Sequence, residues 1–147
     1  MFLIDTHTHL YLDEFKHDID ELIKRAIKNN IHKFLLPNID TNTIQPLLEL
    51  TNLYPKNCYP MIGLHPCSVD QNFQNSLKIL ENKIHENNFI AIGEIGIDLY
   101  WKKIYLKEQK LAFEAQINWA MKYNLPIVIH SRESFNEIYD ILKKYKN

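Results

Sequence analysis

Five apolar runs of strand length punctuate the chain: "MFLI", "IHKFLL", "CYPMIG", "FIAIG" and "PIVIH", beginning near residues 1, 31, 58, 89 and 126. Each reads as a buried strand. The gaps between them are amphipathic. Ile19, Leu22, Ile23, Ala26 and Ile27 fall at i, i+3, i+4, i+7 spacing in the first gap, and Ile44, Leu47, Leu48 and Thr51 in the second. Leu77, Leu80 and Ile84 mark a third helix, Leu111, Ala115 and Trp119 a fourth, and Phe135, Ile138, Tyr139 and Leu142 a fifth. Strand and helix thus alternate five times at a nearly constant period. That is the pattern of an α/β fold with a parallel sheet and right-handed helical crossovers. No linker or low-complexity segment interrupts it.

Composition changes this picture little. The 147 residues are 46% hydrophobic and 24% charged, ordinary for a globular domain, and the formal net charge of -1 offers no polycationic surface. A nucleic-acid contact would have to be local. No apolar stretch approaches the roughly 18 residues of a membrane span, and no basic region precedes an apolar run of signal-peptide length. The expectation is a soluble, cytoplasmic protein with no membrane partner. Cys58 and Cys67 lie outside any CxxC spacing and are expected to be reduced.

The chain has only three glycines, Gly63, Gly93 and Gly96, and all fall behind predicted strands. Their placement marks the carboxyl ends of the third and fourth strands as the edge where the backbone turns tightly or something approaches closely. Ionisable residues gather at the same edge. His7 and His9 follow the first strand, His65 the third ("IGLHP") and Glu94 the fourth ("IGEIGID"), while His130 closes the fifth ("VIHSRE"). Strand alternation would put Asp5, His7 and His9 on one face, the two histidines about 7 Å apart at their roots. In parallel α/β sheets and barrels the carboxyl edge binds ligands, so these residues converge despite their distance in sequence. Imidazole nitrogens with a carboxylate favour zinc, manganese or iron over bare magnesium, though a bridging carboxylate admits several metals. A divalent metal centre is the expectation.

Each residue also has a plainer explanation. An H-x-H pair could be a solvated strand end, His65 before Pro66 could cap a turn, and His130 could be a hydrogen-bonded core histidine. Glu94 resists this. A carboxylate ending an apolar strand needs a partner whatever its role. Arg132 is either half of a structural ion pair or a forked donor to a phosphate. Asp5 and Asp98 are expected to orient ligating rings, Cys67 to be a small buried apolar group, and His17, His32 and His85 to lie away from the site. Tyr100 and Trp101 read first as loop packing, with a base-stacking wall as the alternative.

"DTHTHL", "GLHP", "GEIGID", "KEQKLAFEAQ" and "LPIVIHSRE", in this order and at these separations, resemble the TatD family of metal-dependent hydrolases, and the likeness runs over the whole chain. The resemblance implies a TIM-barrel-like (βα)8 fold and a deoxyribonuclease using divalent metal ions, two in a complete site. Position by position, His7 and His9 match ligands of one metal, Glu94 the bridging carboxylate central to catalysis, and His130 a ligand of the second. His65 and Arg132 match positions suited to phosphate contact. The implied substrate is DNA, single-stranded or at 3′ ends, cut by a water activated between two metals. A complete barrel takes about 250 residues. Residues 1–147 are therefore expected to be one domain, the N-terminal part of the barrel with about five βα units, truncated and inactive alone. The family's further ligands, from the sixth strand and after the eighth, have no counterpart here. Two alternatives stand beside this: a metal hydrolase of another substrate class, or a non-catalytic fragment or subunit completed by a second, C-terminal chain.

Overall fold

The alternation of apolar runs and amphipathic gaps folds as β1 (Leu3–Asp5), α1 (Ile19–Lys28), β2 (Ile31–Leu36), α2 (Ile44–Leu53), β3 (Cys58–Pro60), α3 (Phe73–Glu86), β4 (Ile92–Asp98), α4 (Leu106–Tyr123), β5 (Ile127–Arg132) and α5 (Phe135–Leu142). This is a computed structural model, and it describes residues 2–145. The start of the first apolar run, Met1, lies outside them. β1, β2 and β3 pair in parallel in that order, as do β4 and β5. A parallel bridge between Ile62 and Ile92 joins the two sets. The result is a sequential parallel sheet, an open section of a barrel.

The join is unusual. Past the end of β2, Asn38 exchanges both backbone bonds with β4, its N–H reaching Gly93 O at 3.2 Å and its C=O accepting from Glu94 N–H at 3.3 Å. Gly93 N–H also donates to Ile62 O at 2.8 Å. The sheet therefore closes toward itself at β4, and Glu94 sits at the pinch. Glycine is required there because a Cβ on Gly93 would lie 2.7 Å from Val128 Cβ, and one on Gly96, at φ 145°, only 2.0 Å from His130 O.

Leu36, Leu47, Ile62, Leu80, Ile92, Ile95, Ile97 and Phe113 are completely buried and form the centre of the core. β4 is buried along its whole length. The first and fifth apolar runs depart from the expectation of buried strands. Leu3 and Ile4 of β1 are about half exposed, and no residue of β5 is fully buried. Both are edge strands here, with nothing paired on their outer sides among the described residues.

Two expected helical faces also shift. On α4 Trp119 is buried and Ala115 half-buried as expected, but Leu111 is exposed, and Gln109, Ala112, Phe113, Gln116, Ile117 and Ala120 also face inward. On α5, Ile138 and Ile141 are buried, and Phe135 and Tyr139 stack on each other in the open. Among the described residues no helix is long and apolar enough to cross a membrane.

Candidate metal centre

The fourth strand begins three residues later than its apolar run predicts and contains the two glycines expected behind it. Glu94 is therefore the third residue of a buried strand rather than part of the loop that follows. Buried carboxylates need compensation, and here it comes from three other elements. Glu94 Oε2 lies 3.0 Å from His7 Nε2 and 3.8 Å from His65 Nε2, and Oε1 lies 3.1 Å from His130 Nδ1. Burial alone would raise the Glu94 pKa. The His130 hydrogen bond and the neighbouring histidines outweigh that, holding it below the usual carboxylate range.

His7 and His9 do not owe their proximity to strand alternation. β1 stops at Asp5, and both histidines stand in the irregular segment beyond it, rings edge to face with centroids 5.3 Å apart. Asp5 accepts from the backbone N–H of His7 at 3.1 Å, so it fixes that turn and not the ring. His9 Nδ1 is 2.9 Å from the Tyr11 hydroxyl and 3.2 Å from Pro37 O, and the Tyr11 hydroxyl itself donates to Pro37 O at 2.6 Å. With Pro37 O already accepting and the hydroxyl hydrogen spent on it, Nδ1 must carry the hydrogen in this contact. Nε2 keeps a free lone pair, the arrangement typical of ligating histidines. Burial, then the neighbouring His7, lowers the His9 pKa and favours that neutral ring.

His130 sits inside β5, opposite Gly96. Its Nε2 is 2.9 Å from Asp98 Oδ2, and its Nδ1 faces Glu94 Oε1 and, at 3.1 Å, His65 Nε2. The Glu94 hydrogen bond raises the His130 pKa against the effect of burial, and Asp98 adds to it. Only one hydrogen can occupy Nδ1. The charged ring donates to Glu94; the neutral ring can accept from His65.

His65 differs. Its Nδ1 accepts the backbone N–H of Cys67 at 3.0 Å, so the neutral ring carries its hydrogen on Nε2. Burial lowers its pKa to about 4, so the ring is neutral at pH 7. In this tautomer His65 presents a donor to the centre of the cluster rather than a lone pair. Cys67, its thiol raised to about 11 by burial and by Asp98, donates to Asp98 Oδ2 at 3.4 Å and stays protonated. Arg132 is placed apart from these residues, exposed, with its guanidinium carbon 4.1 Å from the Tyr100 ring centre.

Two groups of donors result, His7–His9–Glu94 and His65–Glu94–His130, each with one atom per residue within 4.8 Å of the others, and they share Glu94. The donor set of neutral imidazoles around a carboxylate suits divalent cations. His17 and His85 are exposed, and His32 lies on β2.

Four residues that build the centre were not singled out by their chemistry, although Gln109 and Gln116 lie within the "KEQKLAFEAQ" motif. Tyr11 holds His9. Asn38, completely buried, donates to Gly63 O at 2.8 Å and to Asp40 O at 2.9 Å, tying the pinch to the turn before His65. Gln116 accepts from Leu64 N–H at 2.6 Å and donates to Leu64 O at 3.3 Å, as a neighbouring strand would. Gln109 does the same for Asp98, accepting from its N–H at 2.7 Å and donating to its O at 3.2 Å.

The comparisons with known proteins fit this architecture. A Bacillus subtilis protein named as the uncharacterized metal-dependent hydrolase YabD is 35% identical over 97% of this chain and 55% of its own length. A 3′-5′ ssDNA/RNA exonuclease TatD of Erwinia tasmaniensis is 27% identical over the same shares. The crystal structure of the TatD homologue YjjV of Escherichia coli superposes with a TM-score of 0.89 at 28% identity, covering 97% of this chain and 56% of that one. The chain thus spans about half the length of the curated relatives it matches, as a partial TIM barrel would. Its carboxylate-centred histidine cluster, its parallel βα order and a match over residues 4–147 to the model described as TatD related DNase lead to one conclusion: the chain belongs to the TatD family.

Proposed function

We propose that these residues form part of the site of a metal-dependent hydrolase that cuts phosphodiester bonds in single-stranded nucleic acid, DNA foremost, with two divalent cations in the complete site. The sharing of Glu94 between two donor groups carries the reading. His7 Nε2, His9 Nε2 and one Glu94 oxygen would hold one cation, and the other Glu94 oxygen with His130 Nδ1 the second. Cations bound there would polarise a phosphoryl oxygen and lower the pKa of water. The chain's own groups do the rest. His130 gives up its Nδ1 proton to present a lone pair, Asp98 keeps that ring in register through Nε2, and the His65 Nε2–H is aimed where a phosphate oxygen would accept it. Arg132 supplies a forked donor at the rim. The name of the Erwinia relative, an exonuclease of single-stranded DNA and RNA, supports this substrate class.

The open edges belong to the same reading. Phe2 and the β1 residues Leu3 and Ile4 are 46–58% exposed, and among the described residues β5 is unpaired on its outer side. We take residues 1–147 as the N-terminal units of a barrel whose remaining units, from the same polypeptide or a second one, cover these edges and complete both ligand sets.

The test is Glu94→Gln. Titration with manganese or zinc should show affinity falling by more than the roughly 10–100-fold that an outer-shell change costs. Cleavage of an end-labelled single-stranded oligonucleotide by the complete protein should stop. Unchanged metal affinity, or normal turnover in the variant, would overturn the proposal.

A further inference from the structure

Two aromatic side chains next to the metal centre are exposed. Tyr100 is 52% and Trp101 64% exposed, directly after β4. Their rings meet edge to face, centroids 4.6 Å apart, and the Arg132 guanidinium carbon lies 4.1 Å from the centre of the first and 5.5 Å from that of the second. A tryptophan left largely in water at the rim of a polar site is poor economy for stability, since such rings contribute most when buried.

The three residues are fixed to the centre rather than merely near it. Asp98 Oδ1 accepts the backbone N–H of Tyr100 at 3.0 Å and of Trp101 at 2.7 Å, while Oδ2 of the same carboxylate holds His130. At the far end of the turn Gln109 donates to Lys102 O at 2.8 Å. Arg132 pairs with Asp98 in the β4–β5 ladder and lies two residues beyond His130, roughly 7 Å along the strand. Among the described residues its guanidinium has no carboxylate in ion-pair range, and its charge is met only by aromatic faces. The next residue, Glu133, takes a left-handed φ of 54° that turns the chain away. Lys102 and Lys103 add positive charge to the same turn.

Exposed aromatic faces beside an unpaired forked cation are what a single-stranded nucleic acid requires: a surface on which a base stacks and a donor for its phosphate. We propose that Tyr100, Trp101 and Arg132 form a nucleotide subsite adjoining the metal centre. The base stacks on the Trp101 ring, flanked by the perpendicular Tyr100 ring, and Arg132 contacts the phosphate of that nucleotide. The subsite rests on the nuclease reading and would set which nucleotide flanks the bond that is cut.

Trp101 reports directly on this. The only other tryptophan, Trp119, is 6% exposed and shielded from added ligand. With a chelator present, so that nothing is cleaved, a short oligothymidylate titrated into the complete protein should quench Trp101 emission, read as the difference from the Trp101→Phe variant. An abasic sugar-phosphate oligomer of equal length should not. Trp101→Phe should remove the quenching, and Tyr100→Leu with Trp101→Leu should weaken binding, read by anisotropy of a labelled oligonucleotide, by about tenfold or more. Arg132→Gln should weaken it too and flatten its salt dependence. Anisotropy showing binding while Trp101 emission stays unchanged, or equal quenching by the abasic oligomer, overturns the subsite and leaves the nuclease reading standing. No binding of either oligomer overturns both.

Discussion

Replacing Gln116 by leucine should cost far more stability than a helix glutamine normally does. The side chain is 1% exposed and makes three hydrogen bonds: it accepts from Leu64 N–H at 2.6 Å and donates to Leu64 O at 3.3 Å and Ala112 O at 3.1 Å. Leu64 is itself buried, and its backbone has no strand partner at this point because β3 has already ended at Pro60. Leucine fits the volume but leaves the Leu64 N–H and C=O without partners in a dry interior. An unsatisfied buried group costs about 1–3 kcal/mol, so two cost roughly 2–6 kcal/mol, partly offset by the gain from burying an apolar side chain. A net loss of about 2–4 kcal/mol is a large share of the ~5–15 kcal/mol of a typical domain. In urea, with a slope of about 1–3 kcal/mol per molar, the midpoint should drop by roughly 0.7–4 M at unchanged slope. Gln116→Glu separates the two bonds. It keeps an acceptor for the Leu64 N–H but donates only when protonated, so its deficit should shrink on acidification. A Gln116→Leu midpoint within about 0.3 M of the parent would refute the claim that this side chain replaces a missing strand partner.

Two further substitutions test how the histidines are set. Tyr11→Phe removes the hydroxyl between His9 Nδ1 and Pro37 O, and should lower divalent-metal affinity about 10–100-fold by calorimetry while costing roughly 1–2 kcal/mol in urea unfolding. His65 ionises more readily unfolded than folded, where burial brings its pKa to about 4, so the unfolded chain binds the extra proton and stability falls as pH drops from about 6.5 toward 4. The slope should approach 1.4 kcal/mol per pH unit from this group. His130, raised when folded, contributes with the opposite sign at higher pH, and the depressed Glu94 and Asp98 lose their contributions only further into acid. His65→Asn isolates the term, since it keeps an acceptor for the Cys67 N–H and does not titrate. A stability profile between pH 4 and 6.5 with the same slope as the parent would exclude this assignment.

The helices and the order of the strands were legible because apolar spacing reports burial faithfully where side chains meet only other side chains. It misled where they meet backbone. On α4 Trp119 and Ala115 pack inward as their spacing suggested, but Leu111 does not, and the inward arc also takes in Gln109 and Gln116, which look like surface residues until the unpaired peptide groups they serve are known. β4 was placed early for a related reason. Gly93 and Gly96 read as turn residues, but they stand inside the strand, where β5 comes so close that no Cβ fits. Glu94, His65, His7, His9 and His130 were visible as ionisable groups at one sheet edge. Which nitrogen of each ring faces the centre was not, because that depends on Tyr11, Pro37, Cys67 and Asp98, whose contacts arise only after folding.

That last point separates residues that distance alone would group together. His65 Nε2 and His130 Nδ1 are 3.1 Å apart and both approach Glu94, so on position either could be a ligand. Their other nitrogens decide. Asp98 accepts only a hydrogen, so it holds one on His130 Nε2 and leaves Nδ1 free to offer a lone pair once its own proton departs. Cys67 offers only a hydrogen, so it takes the lone pair of His65 Nδ1 and keeps a hydrogen on Nε2. Under the proposed reading, one ring would then bind a cation and the other donate to an anion. Turning His65 into a ligand would require its Nδ1 to carry a hydrogen facing the Cys67 N–H, two donors with no acceptor between them in a largely buried turn. The backbone of the Pro66–Ser68 turn therefore sets the role of His65, and Asp98, through one carboxylate, sets both His130 and the aromatic turn beside it.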